Sequence, residues 1–547
     1  MKYLVAVLLL VPIVIGAEKP TMEELEEMTR EWMKENPHSL PHWLTPEEMT
    51  RLDEIGLRFT PTPPPPAPVR NIAEFEHMEG VLIRYPFGIP YAIIAEMSED
   101  VMVTTIVTGQ SQENTVRGYY AANGVNLANC NFLWGPTDTY WTRDYGPWYV
   151  VNGNMDVAIV DFPYNRPRPN DDEIPVEMAA FLGVPLYGMD LEHTGGNYMT
   201  DGMHISASTD LVWSENPSLT HQEIADMVED YLGVTTYHVV PDPNNTYIDH
   251  IDCWGKYLDV DKIMIREVAP SHPQYSEIEA TAAYFAAQTS AYGTPYEVYR
   301  VYTPSNEPYT NSLILNNKVL VPITGSSWDD DALTSYEEAM PGYEVLGFTG
   351  SWASTDALHC RVMGTADRGM LQVWHIPLHG VQLPGPSGYE IEATITPLSG
   401  SLVIADSVFV RYRVSGGIYS KVGMTHQTGY AWQGIIPALP PGNQIEYYIH
   451  AADVSGRSAN HPYIGAPDPH VFTAGGFTSP SVTIRQEGNQ IRLTWGSVPG
   501  ASSYKVYSSD NPFSGFSLDL SGAFSDTSWA APIVGEERYY RVTATDE

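Results

Sequence analysis

Basic residues are scarce in this chain. Its 547 residues hold 28 Lys and Arg against 67 Asp and Glu, a formal net charge of −39. A surface that acidic repels phosphate backbones and anionic lipid heads, which excludes nucleic acid as a partner and favours a cationic substrate. Cysteine is scarcer still, limited to Cys130, Cys253 and Cys360. So odd and sparse a set makes no disulfide framework, and at least one thiol within the chain is left either buried or used for chemistry. Long apolar runs are also missing. The run from Tyr3 to Ile15 is too short to cross a bilayer, so no membrane span is expected. With Lys2 before it and Gly16-Ala17 after it, the run reads as a secretory signal over residues 1–17, which predicts a secreted protein, periplasmic, extracellular or on the cell surface.

What is present suffices for several cores: 43% hydrophobic residues over this length predict about three or four domains. Residues 18–68 read as a leader. Thr21 with Glu24, and Thr45 with Pro46 and Glu48, mark two capping-box helix starts, and Gly56 closes the second helix. The proline run over residues 61–68 reads as an extended polyproline spacer. From 69 to 384, β-rich runs at Val81, Val101 and Val319 alternate with helical stretches such as Glu277 to Thr289, an α/β pattern. Residues 385–475 and 476–547 lack helical periodicity and read as two all-β sandwiches, the first Ig-like and the second, with Trp495 and Tyr540 as core aromatics, resembling a fibronectin type III module. These two are expected to act as spacers or as adhesion modules for a cell surface or glycan.

Within 69–384 the conspicuous polar residues sit in short Gly- or Trp-rich contexts: Trp141-Thr-Arg-Asp144, Gly195-Gly-Asn197 with Asp201, His250-Ile-Asp252-Cys253, Thr310-Asn311-Ser312 and Asp356-Ala-Leu-His-Cys360. From Asp144 through Asn197, His250 and Asn311 to Cys360 the gaps are 53, 53, 61 and 49 residues. Near-regular spacing suggests diverged repeats, each sending one loop to the hub of a closed five-part ring. A Cys with a distant His is the pattern of a thiol nucleophile and its proton shuttle. Two carboxylates beside a thiol would raise its pKa, but they make sense around a cationic substrate, since a guanidinium offers a fork of N–H donors to acids on separate edges. His250 then protonates departing ammonia and activates water. On a strand, His250 and Asp252 would share a face, whereas His359 would point away from Cys360 and is set aside as the base.

These motifs resemble those of the guanidino-group-modifying enzymes, closer to bacterial peptidylarginine deiminase than to the agmatine deiminases. The resemblance spans roughly residues 69–473 and implies a five-bladed pseudo-symmetric α/β propeller. It also implies Cys360 as nucleophile, His250 as acid/base, Asp144 and Asp252 as guanidinium carboxylates, Asn311 as a helper, and a covalent Cys-linked intermediate hydrolysed to citrulline. The Pro residues around Arg166 and Arg168 predict an extended backbone with both guanidinia on one side, a fork for a carboxylate. In the resembled family such a pair binds the carboxylate of a C-terminal arginine. Trp141, Asp201 and Tyr247 match residues lining the family's substrate pocket. The Gly-rich run preceding the cysteine in agmatine deiminases is replaced here by Ser354-Thr-Asp356-Ala-Leu-His. Expected, then, is a hydrolase acting on arginine-containing peptides or proteins. Deimination of agmatine or free arginine is the alternative, and a non-catalytic adhesin is a third class. No cofactor is expected. Cys253 is read as a buried strand residue rather than a metal partner of His250, and Pro377 argues against a helical metal pair of His375 and His379. Asp329-Asp330-Asp331 reads as a solvated turn, where a structural Ca²⁺ would need oxygen ligands from elsewhere.

Overall fold

The computed structural model describes residues 20–545 apart from 246–247, 386, 478, 499–500, 519–524 and 536. The expected secretory signal therefore lies outside the described residues. No described helix is long and apolar enough to cross a membrane. The chain divides into two compact units, one built from residues up to Gln372 with Thr396–Val403 and Ala452–Asp468, the other from the remaining C-terminal segments.

Five small sheets of the first unit share one scheme: an antiparallel strand pair, a helix, and a third strand parallel to the second. Trp148–Val151 and Val157–Asp161 form the first hairpin, followed by the helix Ile174–Leu182 and the strand Leu186–Gly188. The same order recurs in Met199–Thr200, Ile205–Thr209, His221–Leu232 and Thr236–Val240. It recurs again in Gly255–Asp259, Lys262–Glu267, Tyr275–Ala286 and Glu297–Tyr302, and in Leu313–Leu315, Lys318–Ile323, Asp329–Ala339 and Glu344–Thr349. In the last sheet Met363–Ala366 pairs with Met78–Arg84 from the far end of the domain, in register Met363 to Leu82, so first and last segments complete one unit.

The middle strands are almost wholly buried, as in Val157–Asp161, because sheet neighbours and helices cover both faces. That is why they read as continuous apolar runs. Local signals set the helix ends. Thr220 and Glu223 close a capping box on His221–Leu232, and Gly233 ends that helix with φ +73°. The three acids at 329–331 do not form a solvated turn. They open the helix Asp329–Ala339, whose positive end they complement, and Asp329 is buried, accepting from the Tyr309 hydroxyl at 2.7 Å and Gly325 N–H at 2.8 Å.

The leader is structured. Its first capping box starts the helix Met22–Glu35. The second also forms, with Thr45 N–H donating to Glu48 at 2.9 Å and Glu48 N–H to Thr45 Oγ1 at 3.2 Å, but it heads only the short 3₁₀ turns Glu48–Thr50 and Leu52–Glu54. The full second helix expected there does not form, since Glu48 is drawn into contacts described below. The proline run bends at residues 66–68 and is docked, Thr62 N–H donating to Gly188 O at 3.0 Å and Gly153 N–H to Pro66 O at 2.6 Å.

In the second unit Phe409–Val414 pairs antiparallel with Gln444–Ala452, and further on Ser503–Ser509 pairs with Tyr539–Thr545. Trp495 is buried with Leu493, Tyr504 and Val506, and Tyr540 packs at the edge of that cluster. His375 and His379 lie in coil. Both ring nitrogens of His375 are taken, by Glu392 O at 2.6 Å and the Tyr447 hydroxyl at 2.7 Å, and no metal pair forms.

Candidate active site

Each conspicuous polar residue lies just ahead of the first strand of a unit. Asp144 precedes Trp148–Val151, Asn197 precedes Met199–Thr200, Asp252 precedes Gly255–Asp259, Asn311 precedes Leu313–Leu315 and Cys360 precedes Met363–Ala366. Equivalent positions in equivalent units account for the near-regular spacing. Tight 3₁₀ turns carry three of them, at Gly195–Asn197, Ile251–Cys253 and His359–Arg361. The His250–Asp252 segment is thus a turn and not the strand anticipated. Asn197 holds it by accepting from Ile251 N–H at 3.3 Å. Gly196 lets the turns close: a Cβ there would stand 2.4 Å from Asp144 Oδ1 and 2.7 Å from His250 Nδ1.

Cys360 is fully buried, and its sulfur lies 3.2 Å from Asn311 Nδ2 and 3.3 Å from Asp252 Oδ2. Asn311 is itself oriented, its Oδ1 accepting from Ala357 N–H at 3.0 Å and Cys360 N–H at 3.4 Å. Burial pushes the thiol well above its ordinary pKa, and Cys253, Asp252 and Asp356 push the same way. The sulfur is therefore a neutral thiol. Cys253 sits beside Cys360 and Asp252, their ligand-capable atoms within 4.8 Å of one another. It belongs to the thiol's surroundings and not to a pair with His250.

His250 Nδ1 stands 3.5 Å from Asp144 Oδ1. Burial, and then the charge of His42, hold this imidazole well below its usual pKa, so it is neutral. Asp252 is the opposite case. Burial alone would raise it, but a hydrogen bond from His359 at 2.7 Å and the neighbouring imidazoles bring it down to about 2. His359 does not merely point away. Its Nδ1 meets the same Asp252 oxygen that faces the sulfur, and its Nε2 meets Glu74 at 2.5 Å. Glu74 also holds Lys256 at 3.0 Å and Arg143 at 3.2 Å, so Arg143 pairs with Glu74 rather than with its neighbour Asp144.

The leader reaches this centre. His42 is 1% exposed, with Nε2 ion-paired to Asp144 and Nδ1 2.6 Å from Asp356. Its ring stacks on Trp141 at 4.3 Å and 9° and meets His250 edge-on at 5.0 Å. Burial works against the imidazolium, but Asp144 and Asp356 outweigh it and raise its pKa to about 9. The Arg pair also faces the leader. Arg166 Nε donates to His42 O at 3.3 Å, while Arg168 donates to Glu48 at 2.7 Å and to Pro41 O at 2.7 Å. The backbone between them is not extended as anticipated but folded, with Arg166 N–H donating to Tyr164 O and Arg168 N–H to Arg166 O, both at 2.7 Å. Both guanidinia are buried nevertheless, and neither makes a surface pair with Asp171 or Asp172.

Trp141 joins the site. Asp201 does not: its Oδ1 accepts from the N–H groups of Met203, His204 and Ile205 at 2.8–3.0 Å, closing the turn of a hairpin. Tyr247 lies outside the described residues. Sequence reasoning missed His42, Asp356 and Glu74 as contributors. Asp356 stood inside a noted motif, while His42 and Glu74 carry no local pattern.

A fully buried thiol, a neutral imidazole and acids on separate turns thus gather at one buried centre. The family model for the Porphyromonas-type peptidyl-arginine deiminases matches residues 88–363, and the chain belongs to that family of guanidino-group deiminases, which are hydrolases. A Shewanella baltica protein named "Putative agmatine deiminase" is 26% identical over 251 residues, 38% of this chain and 67% of the relative. A solved X-ray structure under the same name aligns with TM-score 0.50 and 23% identity over 55% of this chain and 96% of that one, a likeness of fold. The agmatine deiminase of Enterococcus faecalis, solved while catalysing its reaction, aligns with TM-score 0.49 and 20% identity over 55% of this chain and 96% of that one.

Proposed function

We propose that this protein deiminates arginine, preferentially at the C-terminus of a peptide, to citrulline. The observation carrying this reading is the convergence on Cys360 Sγ of Asn311 at 3.2 Å and Asp252 at 3.3 Å, with Asp144 and His250 beside them. Asp144 and Asp252 grip the guanidinium edges, and the arriving charge lowers the thiol pKa. Cys360 gives up its proton to neutral His250, and its thiolate adds to the guanidine carbon. The C–N bond breaks, the leaving nitrogen taking a proton from protonated His250 and departing as ammonia. His250 then removes a proton from water, whose oxygen attacks the same carbon. The C–S bond breaks and the ureido group of citrulline leaves. Net, one water enters and one ammonia leaves, through side chains and water alone.

The Arg166–Arg168 pair supports a substrate bearing a carboxylate, whereas the curated relatives carry the name of agmatine deiminases. Cys360→Ala is expected to abolish ammonia release from a peptide ending in Arg, and side-by-side rates on that peptide and on agmatine separate the two substrates. Undiminished release by Cys360→Ala removes the reading. Further proposals are that the five repeated units form a five-bladed α/β propeller and that the C-terminal strands form an Ig-like and a fibronectin type III-like sandwich. Secretion through the N-terminal signal completes this reading.

A further inference from the structure

We propose that Ser39–Glu48 is a built-in substrate mimic that fills the catalytic cleft and keeps the enzyme latent until the leader is displaced. This deepens the deiminase reading and rests on it. His42 presents what a guanidinium would present: a flat, delocalised group with N–H donors on two edges, one toward Asp144 and one toward Asp356, stacked on Trp141. The ligand-capable atoms of His42, Asp356 and Cys360 lie within 4.8 Å of one another, so the ring occupies the space a substrate carbon must enter to meet the sulfur. An imidazole there is inert, because attack on its ring carbon expels no ammonia.

The contacts flanking His42 extend the mimicry. The carboxylate of Glu48 engages Arg168 with both oxygens, at 2.7 and 3.2 Å, in the manner expected of a substrate carboxylate. Arg166 is engaged by His42 O, and Pro41 O and Trp43 O accept from Arg168 Nη2. The segment is pinned from behind by Trp141 Nε1, which donates to Leu40 O at 3.2 Å, and by Trp32, whose ring lies 5.9 Å from Trp141 and 5.6 Å from Trp43. One stretch of the same chain thus engages Asp144 and Asp356 as well as Arg166 and Arg168, and no arginine side chain can enter while it is seated. Beyond it, Leu57 is 74% exposed, which places an accessible stretch between the plug and the docked proline run.

The test compares full-length wild type, His42→Ala, Glu48→Gln and His42→Ala/Cys360→Ala. Two readouts are taken: citrulline formation on a short peptide ending in Arg, and alkylation of Cys360 by a small cationic haloacetamidine, followed by mass spectrometry. His42→Ala is expected to raise both by roughly a hundred- to a thousandfold, the scale on which a broken buried ion pair shifts an opening equilibrium. Glu48→Gln should raise both by less, and the double variant should form no citrulline. Equal citrulline and alkylation rates in wild type and the single variants overturn the plug while leaving the deiminase reading intact. Faster alkylation with no citrulline from any chain keeps the plug and removes that reading. If His42→Ala lacks a cooperative unfolding transition, Glu48→Gln decides: faster alkylation supports the plug and an unchanged rate overturns it.

Discussion

The hub turns and the leader bring polar side chains to one buried centre by different routes. The turns at Gly195–Asn197, Ile251–Cys253 and His359–Arg361 hold theirs through backbone hydrogen bonds and packing beneath a repeated sheet, so each position follows from its place in a unit. None of residues 39–48 lies in a strand. Ser39–Glu48 is held by His42 between Asp144 and Asp356, by Glu48 on Arg168, and by tryptophan packing. Local topology makes the first arrangement permanent. The second depends on a few charge pairs, so removing one group can release it, which suits a segment meant to leave.

Three perturbations sharpen that contrast, beginning with the largest effect. Gly196→Ala drives a methyl against Asp144 and His250, and a displacement of about 1 Å at reacting groups costs about a hundredfold in rate. Steady-state kinetics in a leader-released background is expected to show this loss with the fold retained, and wild-type rates would contradict the close packing. Glu74→Gln weakens the clamp on His359, Lys256 and Arg143. Chemical denaturation should show a loss of about 3 kcal/mol, the scale of a broken buried pair, along with an altered pH profile as Asp252 loses its ordered partner. An unchanged midpoint and profile would reduce Glu74 to a bystander.

The smallest effect concerns pH. The pKa of His42 is raised by docking, from an ordinary value near 6.5 to about 9. Its contribution to stability is therefore complete below about 6.5 and is lost as pH climbs through about 9. The difference in Tm between wild type and His42→Ala, measured from pH 6 to 10, should be largest at the acid end and shrink on the way up. A difference that grows with pH would contradict the charge pairing.

Much of the first unit was legible because repetition leaves a trace. The spacing from Asp144 to Cys360 located five loops ahead of five antiparallel strand pairs, and the β-rich runs at Val81, Val101 and Val319 marked strands. The thiol and its Asn311 and Asp252 neighbours followed from those stations. His42 did not, since its partner Asp356 lies 314 residues away and nothing nearby marks a leader histidine as a cation in an acidic hub. The role of His359 was hidden by the assumption of strand geometry, which a 3₁₀ turn replaces. Asp201 matched the family pattern by position, yet its backbone acceptor role is a property of turn geometry that spacing does not reveal. The Arg pair was found for the wrong backbone reason, the side chains converging although the chain between them folds.

The central claim is that the Cys360 sulfur forms a bond to the guanidine carbon. Rapid quenching of the enzyme with a peptide ending in Arg, followed by intact-mass and peptide mapping, tests it directly. The account predicts a transient adduct on Cys360, heavier by the substrate less one ammonia and missing from Cys360→Ala. Citrulline accumulating at an undiminished rate in Cys360→Ala, with no adduct on any cysteine of the wild type, would contradict it.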